Sequence, residues 1–397
     1  MPKQLKILLI SKQYPPAMGG GGAHSFYLAD ALARHPDVQI HVLTSSAKNM
    51  PPEEKIRNKN LFIHRIDFGH SMALPYEPAI QKGLQLCKDI CPHLLHAQHT
   101  GGSLIGLHLK ASFHLPLLVT LHKTPIKWDK KIVERAPLYS YMKLLSQLNI
   151  IDLFIAGSQA FRRELQKIGV PEERIRFIYH GVPIRTLERL AYGKKKVLSV
   201  VQKLRLERND NLIVCPARID DRKQLDVFIK AAGLSRKELP DKTFKFLITG
   251  STKTKAEVDY KNHLESMSRS SGVHDCLRFD TFDFEEIPAL YRLAKVCVLP
   301  SSREGLGLVL LESLAVKTPV VVSKGMGVTE VVKTDERHGL FFLDGDYVDL
   351  KRQLVKIFTN KELVSRLRKT GHNRVKKHFD ADMMANNYLK VYKEMIQ

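Results

Sequence analysis

Apolar residues in this chain gather in short β-branched runs separated by amphipathic stretches. The first half holds KILLIS (6–11), VQIHVLTS (38–45), LFIHRI (61–66), LLHAQ (94–98), PLLVTLH (116–122), LFIAGS (153–158) and RIRFIYHGV (174–182). Helical periodicity fills most gaps, as in 24–35 and 161–169. The second half repeats the alternation with NLIVCPARI (211–219), FKFLITG (244–250), LRFDTF (277–282), VCVLPS (296–301), PVVVSK (319–324) and GLFFL (339–343). Helical stretches there include 224–234, 284–294 and 308–315. Continuous apolar strands alternating with helices predict parallel sheets covered on both faces. The pattern therefore predicts two doubly wound α/β domains, with a linker over 183–208. The last 50 residues read as helices only, and a terminal helix there can pack back on the first domain. The expected division is 1–195, 196–378 and a crossover helix at 379–397.

The 397 residues suit two to three domains at roughly 100–200 residues each. A composition of 44% apolar and 26% charged residues excludes a disordered or fibrous chain. No run approaches the ~18 apolar residues of a membrane span, and the start lacks the apolar core of a signal peptide. Five cysteines without a repeating spacing argue against a disulfide framework and for a reducing compartment. Cys87 and Cys91 read as packed thiols on one helix face. A cytoplasmic protein is expected, either free or held at the inner membrane face.

The net charge of +22 is spread evenly, for residues 1–190 carry 25 basic and 14 acidic side chains. Such a field draws phosphates of any kind. The stretch 122–143 has six basic and two acidic residues together with Trp128, Tyr139 and Tyr141. That combination suits an anionic lipid surface or a solvated acceptor-side loop. Neither the RNP1 pattern nor a zinc-finger spacing occurs, so no specific nucleic-acid partner is expected.

Parallel sheets bind ligands beyond the carboxyl ends of their strands. Three loops there can carry chemistry. After the first strand, Gly19, Gly20, Gly21 and Gly22 expose backbone N–H groups at a helix start, an anion site. His24 stands at the third glycine position of a dinucleotide fingerprint, and no acid ends the second strand, so NAD binding is rejected. In PARIDDRKQLD (216–226), Arg218 and Lys223 offer a guanidinium fork and a point charge for a diphosphate. In SSREGLGLVLLE (301–312), Glu304 lies in a glycine-spaced turn, and Glu312 interrupts an apolar helix where a carboxylate needs a partner. Asp344-Gly345-Asp346 and Asp380-Ala381-Asp382 have the D-x-D form of a metal site, but the second reads as a helix cap. His93, His96 and His99 alternate faces and do not converge on a metal.

The segment Glu304 to Glu312, E-G-L-G-L-V-L-L-E, resembles the E-x7-E signature of retaining GT-B glycosyltransferases, notably glycosyltransferase family 4. The segments PPAMGGGG, LLHAQH, LVTLH, IAGSQAFRREL with YHGVP, and PARIDDRKQLDVFIKAA agree with that family in order. The resemblance runs from about residue 6 to 396. It implies a GT-B fold, two Rossmann-like domains facing an interdomain cleft that takes a nucleotide sugar such as a UDP- or GDP-hexose. It implies that Glu312 holds the ribose hydroxyls and Glu304 the donor sugar. Arg218 and Lys223 would hold the diphosphate, with the backbone at Gly305, Gly307 and Leu308. His122 would lie near sugar and acceptor. The acceptor would be a glycan or lipid-linked hydroxyl, and no metal or other cofactor is expected. The usual Asn-Gly-Val is here His180-Gly181-Val182, the usual Lys-Gly is Lys223-Gln224, and the usual Gly-Gly is Gly325-Met326-Gly327. A nucleotide-sugar epimerase of the same architecture and a non-catalytic basic binder are the alternatives.

Overall fold

The computed structural model describes residues 4–16, 19–56, 58–68, 76–122, 150–252, 254–301, 304–325 and 327–397. The chain forms two compact units, Met1–Gly181 with Asp380–Gln397, and Val182–Phe379.

Unit 1 is built on an eight-stranded sheet. Its strands are β1 (Leu5–Ile10), β2 (Val38–Ser45), β3 (Glu53–Lys55), β4 (Leu61–Ile66), β5 (Leu94–Gln98), β6 (Leu117–Thr120), β7 (Leu153–Ala156) and β8 (Ile175–Phe177). Their order is β3-β4-β2-β1-β5-β6-β7-β8. All pairings are parallel except β3 with β4. Every residue of β5, β6 and β7 is buried, which is why these strands read as unbroken apolar runs. Leu8, Ile10, Phe68, Leu95, Leu109, Val119 and Phe154 are among the residues of one core cluster.

Unit 2 has the strands β9 (Asn211–Pro216), β10 (Phe244–Thr249), β11 (Leu277–Asp280), β12 (Val296–Leu299), β13 (Val320–Ser323) and β14 (Leu340–Phe342). They form one parallel sheet in the order β11-β10-β9-β12-β13-β14. Phe228, Phe246, Ile248, Val298, Leu350 and Leu354 pack in its core. The expected architecture of two parallel-sheet α/β domains is the observed one.

The division differs from the expected one. The first unit ends at Gly181, not at 195. The stretch expected as a linker, 183–208, folds into the helices Ile184–Ala191 and Lys194–Leu204. Both pack on helix Ile287–Leu293 of unit 2, and Leu187, Ala191, Val200 and Leu204 are buried there. The final helix, Ala381–Met395, belongs to unit 1 and packs on helix Gly20–Leu32. Asp380 caps it by accepting from the Asp382 amide, so this D-x-D pair is a helix cap. Asp346 likewise caps helix Tyr347–Thr359, and Asp344 accepts from Ser323. Cys87 is buried, but Cys91 follows the end of its helix and is exposed, so the two thiols do not share a packed face. The segment with Trp128, Tyr139 and Tyr141 lies outside the described residues. Among the described residues, no helix is long and apolar enough to cross a membrane.

Candidate active site

In unit 2 the chain runs outward from β9 to β10 and β11, then returns to β12 on the other side of β9. Loops leaving β9 and β12 therefore diverge above neighbouring carboxyl ends and leave a crevice between them. The structure joins those loops by one ion pair. Lys223 Nζ lies 2.5 Å from Glu304 Oε1, with side-chain exposures of only 20% and 16%. Such a charge-assisted bond is strong because little water competes with it.

The loop after β9 is shaped by Asp220. Its carboxylate accepts from the Arg222 amide and, at 2.9 Å, from Arg222 Nε. The Arg222 bond holds the Asp220 carboxyl well below the usual carboxylate range. Arg222 is thus turned onto its own loop, while Lys223 is free to reach the β12 loop. Arg218 at the strand end is half exposed, with Nη2 3.6 Å from Asp220 Oδ2.

The loop after β12 ends at Gly307, whose φ of +79° requires a residue without Cβ. Helix Leu308–Ala315 starts there, so its N–H groups open beside Gly305, Gly307 and Leu308. Glu312, in the second turn, is buried and hydrogen-bonded by the hydroxyl of buried Tyr291. Burial first, and then this carboxylate, push the Tyr291 phenol well up. Gly327, after β13, closes the site from the third side. A Cβ there would come within 1.9 Å of the Gly305 carbonyl oxygen and 2.5 Å of the Glu304 carbonyl oxygen, and its φ is +75°. Gly327→Ala is expected to displace the Glu304 loop and lower activity more than it lowers the melting temperature. Activity and thermal melting of the purified variant check this, and unchanged activity would refute it.

In unit 1 the order reverses between β1 and β5. The four glycines stand at a helix start, as the sequence suggests. Gly19 caps a helix whose first residues are Gly20, Gly21 and Gly22. Gly21 is needed for close approach, since a Cβ there would sit 1.9 Å from His99 Nε2. His122, just after β6, bonds Gln98 Oε1 through Nε2 at 2.7 Å. Around it lie the rings of His99 at 4.5 Å, His24 at 4.8 Å and His180 at 5.0 Å. His24 and His180 are 3.9 Å apart, and Gly157 leaves room for the His180 ring.

Below this cluster, His96 Nδ1 meets Tyr392 Oη at 2.7 Å, and Nε2 meets Thr120 Oγ1 at 2.8 Å and Gln98 Nε2 at 3.0 Å. Because the Gln98 amide donates to Nε2, the network assigns the His96 proton to Nδ1. Tyr388 Oη continues the network, 3.2 Å from Thr120 and 3.4 Å from His24 Nε2. Burial pushes His96 and His180 down to about 3, and pushes His24 and His122 well below their ordinary value, helped by neighbouring histidines. These rings are neutral at neutral pH.

His24, His99 and His180 are the members that sequence reasoning missed. The signal was available: each follows a strand that feeds the carboxyl-end face. His93 stays apart, accepting from the Lys6 amide.

Comparison with known proteins follows the same division. Residues 199–374 match the family of glycosyl transferases group 1, and residues 18–186 match Glycosyltransferase Family 4. An uncharacterized glycosyltransferase of Methanocaldococcus jannaschii is 25% identical over 343 residues, covering 83% of each chain. A D-inositol 3-phosphate glycosyltransferase of Paenarthrobacter aurescens is 26% identical over 379 residues, covering 89% of this chain and 90% of that one. Sucrose-phosphate synthase from Thermosynechococcus elongatus superimposes with a TM-score of 0.81 at 21% identity, covering 99% of both chains. Anabaena HepE in complex with UDP-glucose does so with a TM-score of 0.78 at 17% identity, covering 98% of this chain and all of that one.

Proposed function

Since the chain belongs to the glycosyltransferases of group 1, with family 4 architecture in its first half, we propose that it moves a hexose from a UDP- or GDP-sugar to an acceptor hydroxyl with retention of configuration. The epimerase alternative is not favoured. The observation that carries the proposal is the Lys223–Glu304 pair across the β9–β12 crevice. One cation suited to a diphosphate and one carboxylate suited to sugar hydroxyls meet where a parallel sheet takes its ligand.

In the reaction the bond from the anomeric carbon to the diphosphate oxygen breaks, and its electron pair leaves with the diphosphate. The acceptor oxygen bonds the carbon and its proton passes to the departing phosphate. Charge grows on the leaving oxygen, so preorganised positive groups there are the largest aid. Lys223, Arg218 and the N–H groups at Leu308 are the groups suited to this without a metal. Glu312 is suited to the ribose hydroxyls, and Glu304 to the donor sugar. The N–H groups of Gly19 to Gly22, at a helix start of unit 1, suit a phosphate. His122, neutral and fixed by Gln98, is suited to a hydroxyl of sugar or acceptor. The relatives named for D-inositol 3-phosphate support a polyol or glycan acceptor; a lipid-linked one is the second choice.

A thermal-shift series with UDP, GDP and ADP tests the reading. A nucleotide that binds only the folded state raises the melting temperature with concentration. UDP or GDP is expected to do so in the parent, and Glu312→Ala is expected to weaken that binding about tenfold or more, as loss of a hydrogen bond to a charged group does. If no nucleotide shifts the parent, or Glu312→Ala binds as the parent does, the donor site is wrongly assigned.

A further inference from the structure

The donor site uses the carboxyl ends of the unit 2 strands. A cavity of about 710 Å³ lies at the other end of the same sheet. Its floor includes Ala294 and Thr318, which stand just before β12 and β13, whereas Glu304 comes after β12. Helix Lys361–His378 supplies much of one wall.

The charge of this cavity is unusual even for so basic a chain. Arg292, Lys317, Lys361, Arg368 and Lys369 line it, and among the described residues none of the lining is acidic. Elsewhere in unit 2 cations meet carboxylates, as Lys223, Arg236 and Lys351 do. Among the described residues, none of the five lining cations has a carboxylate partner or a side-chain hydrogen bond. The acid that reaches the rim, Glu188, faces His372 at 3.7 Å. Arg292 lies 5.0 Å over the ring of Tyr192, which is itself 55% exposed. Arg368 is held below its ordinary value by burial and by the like charge of Arg292.

Five like charges round a concavity repel one another and focus a positive field into it. They stay there at a cost unless an anion neutralises them. The cavity is of the size that takes small molecules, roughly 300–1,000 Å³. One phosphate cannot reach cations spread round such a wall, so the fitting ligand carries several anionic groups. Arg292 and Arg368 offer forks for phosphate oxygens, and the lysines offer point charges.

We propose that this cavity is a second anion site, distinct from the donor site, for a ligand bearing several phosphate groups, whether a free polyphosphorylated molecule or clustered phospholipid headgroups. Lys361 and Lys369 lie about two turns apart on one helix and line the cavity together with Arg292. Tyr192 gives the ligand a flat edge beside Arg292.

Two probes separate the sources. Inorganic tripolyphosphate, followed by calorimetry, stands for the free ligand. Vesicles of phosphatidylcholine mixed with phosphatidylglycerol, followed by sedimentation, stand for the lipid. The parent and Lys223→Ala are both expected to bind one of these probes, because the donor-site lysine is not involved. The double variant Arg292→Ala with Arg368→Ala is expected to bind it at least about tenfold more weakly and to keep nucleotide-induced stabilisation. If the double variant melts early, Lys317→Ala with Lys369→Ala gives the same reading. Binding of tripolyphosphate identifies a free ligand, and binding of vesicles alone identifies headgroups. Failure of both probes, or equal binding by parent and double variants, overturns the site. Loss of tripolyphosphate binding in Lys223→Ala does so too, since the anion would then sit in the donor crevice.

Discussion

Lys223→Ala is expected to lower turnover by about 10²–10³-fold, equivalent to about 2.7–4 kcal/mol of barrier, while the Michaelis constant for the donor changes less. The argument starts from where the charge is needed. A diphosphate gains negative charge as it departs, and a donor aimed at that charge acts more on the transition state than on the bound substrate. Among the described residues of unit 2, Lys223 is the cation best placed for this. Arg222 is tied to Asp220 and Arg218 is half exposed, whereas the Lys223 ammonium is largely buried against Glu304. The variant also leaves Glu304 without its partner, which by itself would disturb the sugar end. Glu304→Gln separates the two effects, because it removes the carboxylate charge and keeps the lysine. If Lys223 serves the leaving group, Lys223→Ala loses turnover with donors of any sugar, and a donor with a better leaving group recovers part of the rate. If Lys223 only holds Glu304, both variants fall alike and no donor rescues the rate. A Lys223→Ala turnover equal to the parent's would remove the leaving-group role outright.

The residues around this pair show what one sequence makes legible. Unbroken apolar runs gave the central strands because both faces of a parallel sheet are buried. β3 escaped, since Glu53, Glu54 and Lys55 form a short exposed edge strand with no apolar face to read. The stretch 183–208, which contains the basic run Lys194, Lys195 and Lys196, was expected as a linker. Yet Ile184, Leu187 and Ala191 already show the i, i+3, i+7 spacing of a buried helix face. Arg218, Lys223, Glu304 and Glu312 were visible as charges in places where charge needs a reason. That Lys223 meets Glu304 was not visible, for the two are 81 residues apart and only strand order makes β9 and β12 neighbours. The histidine cluster was hidden in the same way: its members follow β1, β5, β6 and β8 and are far apart in the sequence. The four glycines were legible as a helix start, but that Gly21 is required by the approach of His99 was not.

That cluster predicts a steep loss of stability in mild acid. An unfolded histidine takes up its proton near pH 6.5. Folded His96 and His180 resist protonation down to about 3, because their rings are buried among Thr120, Gln98, Tyr388, Tyr392 and other imidazoles. Between those values the unfolded chain binds more protons than the folded one, so stability falls as pH falls. Above about pH 6.5 neither state is protonated at these sites and the contribution is level. Below it, each histidine costs about 1.4 kcal/mol per pH unit, or about 2 kcal/mol by pH 5. His24 and His122, also pushed well down by burial, steepen the slope further. Denaturant unfolding at a series of pH values from 7 to 5 measures the slope directly. His180→Asn puts at this position the residue that family members usually carry and takes one proton out of the count. Its profile is expected to be flatter than the parent's by about 1.4 kcal/mol per pH unit. A parent whose stability does not change between pH 7 and 5, or a variant that runs parallel to it, would show that the ring at 180 is charged or solvated in the folded protein, contrary to its packing on Gly157 and His24.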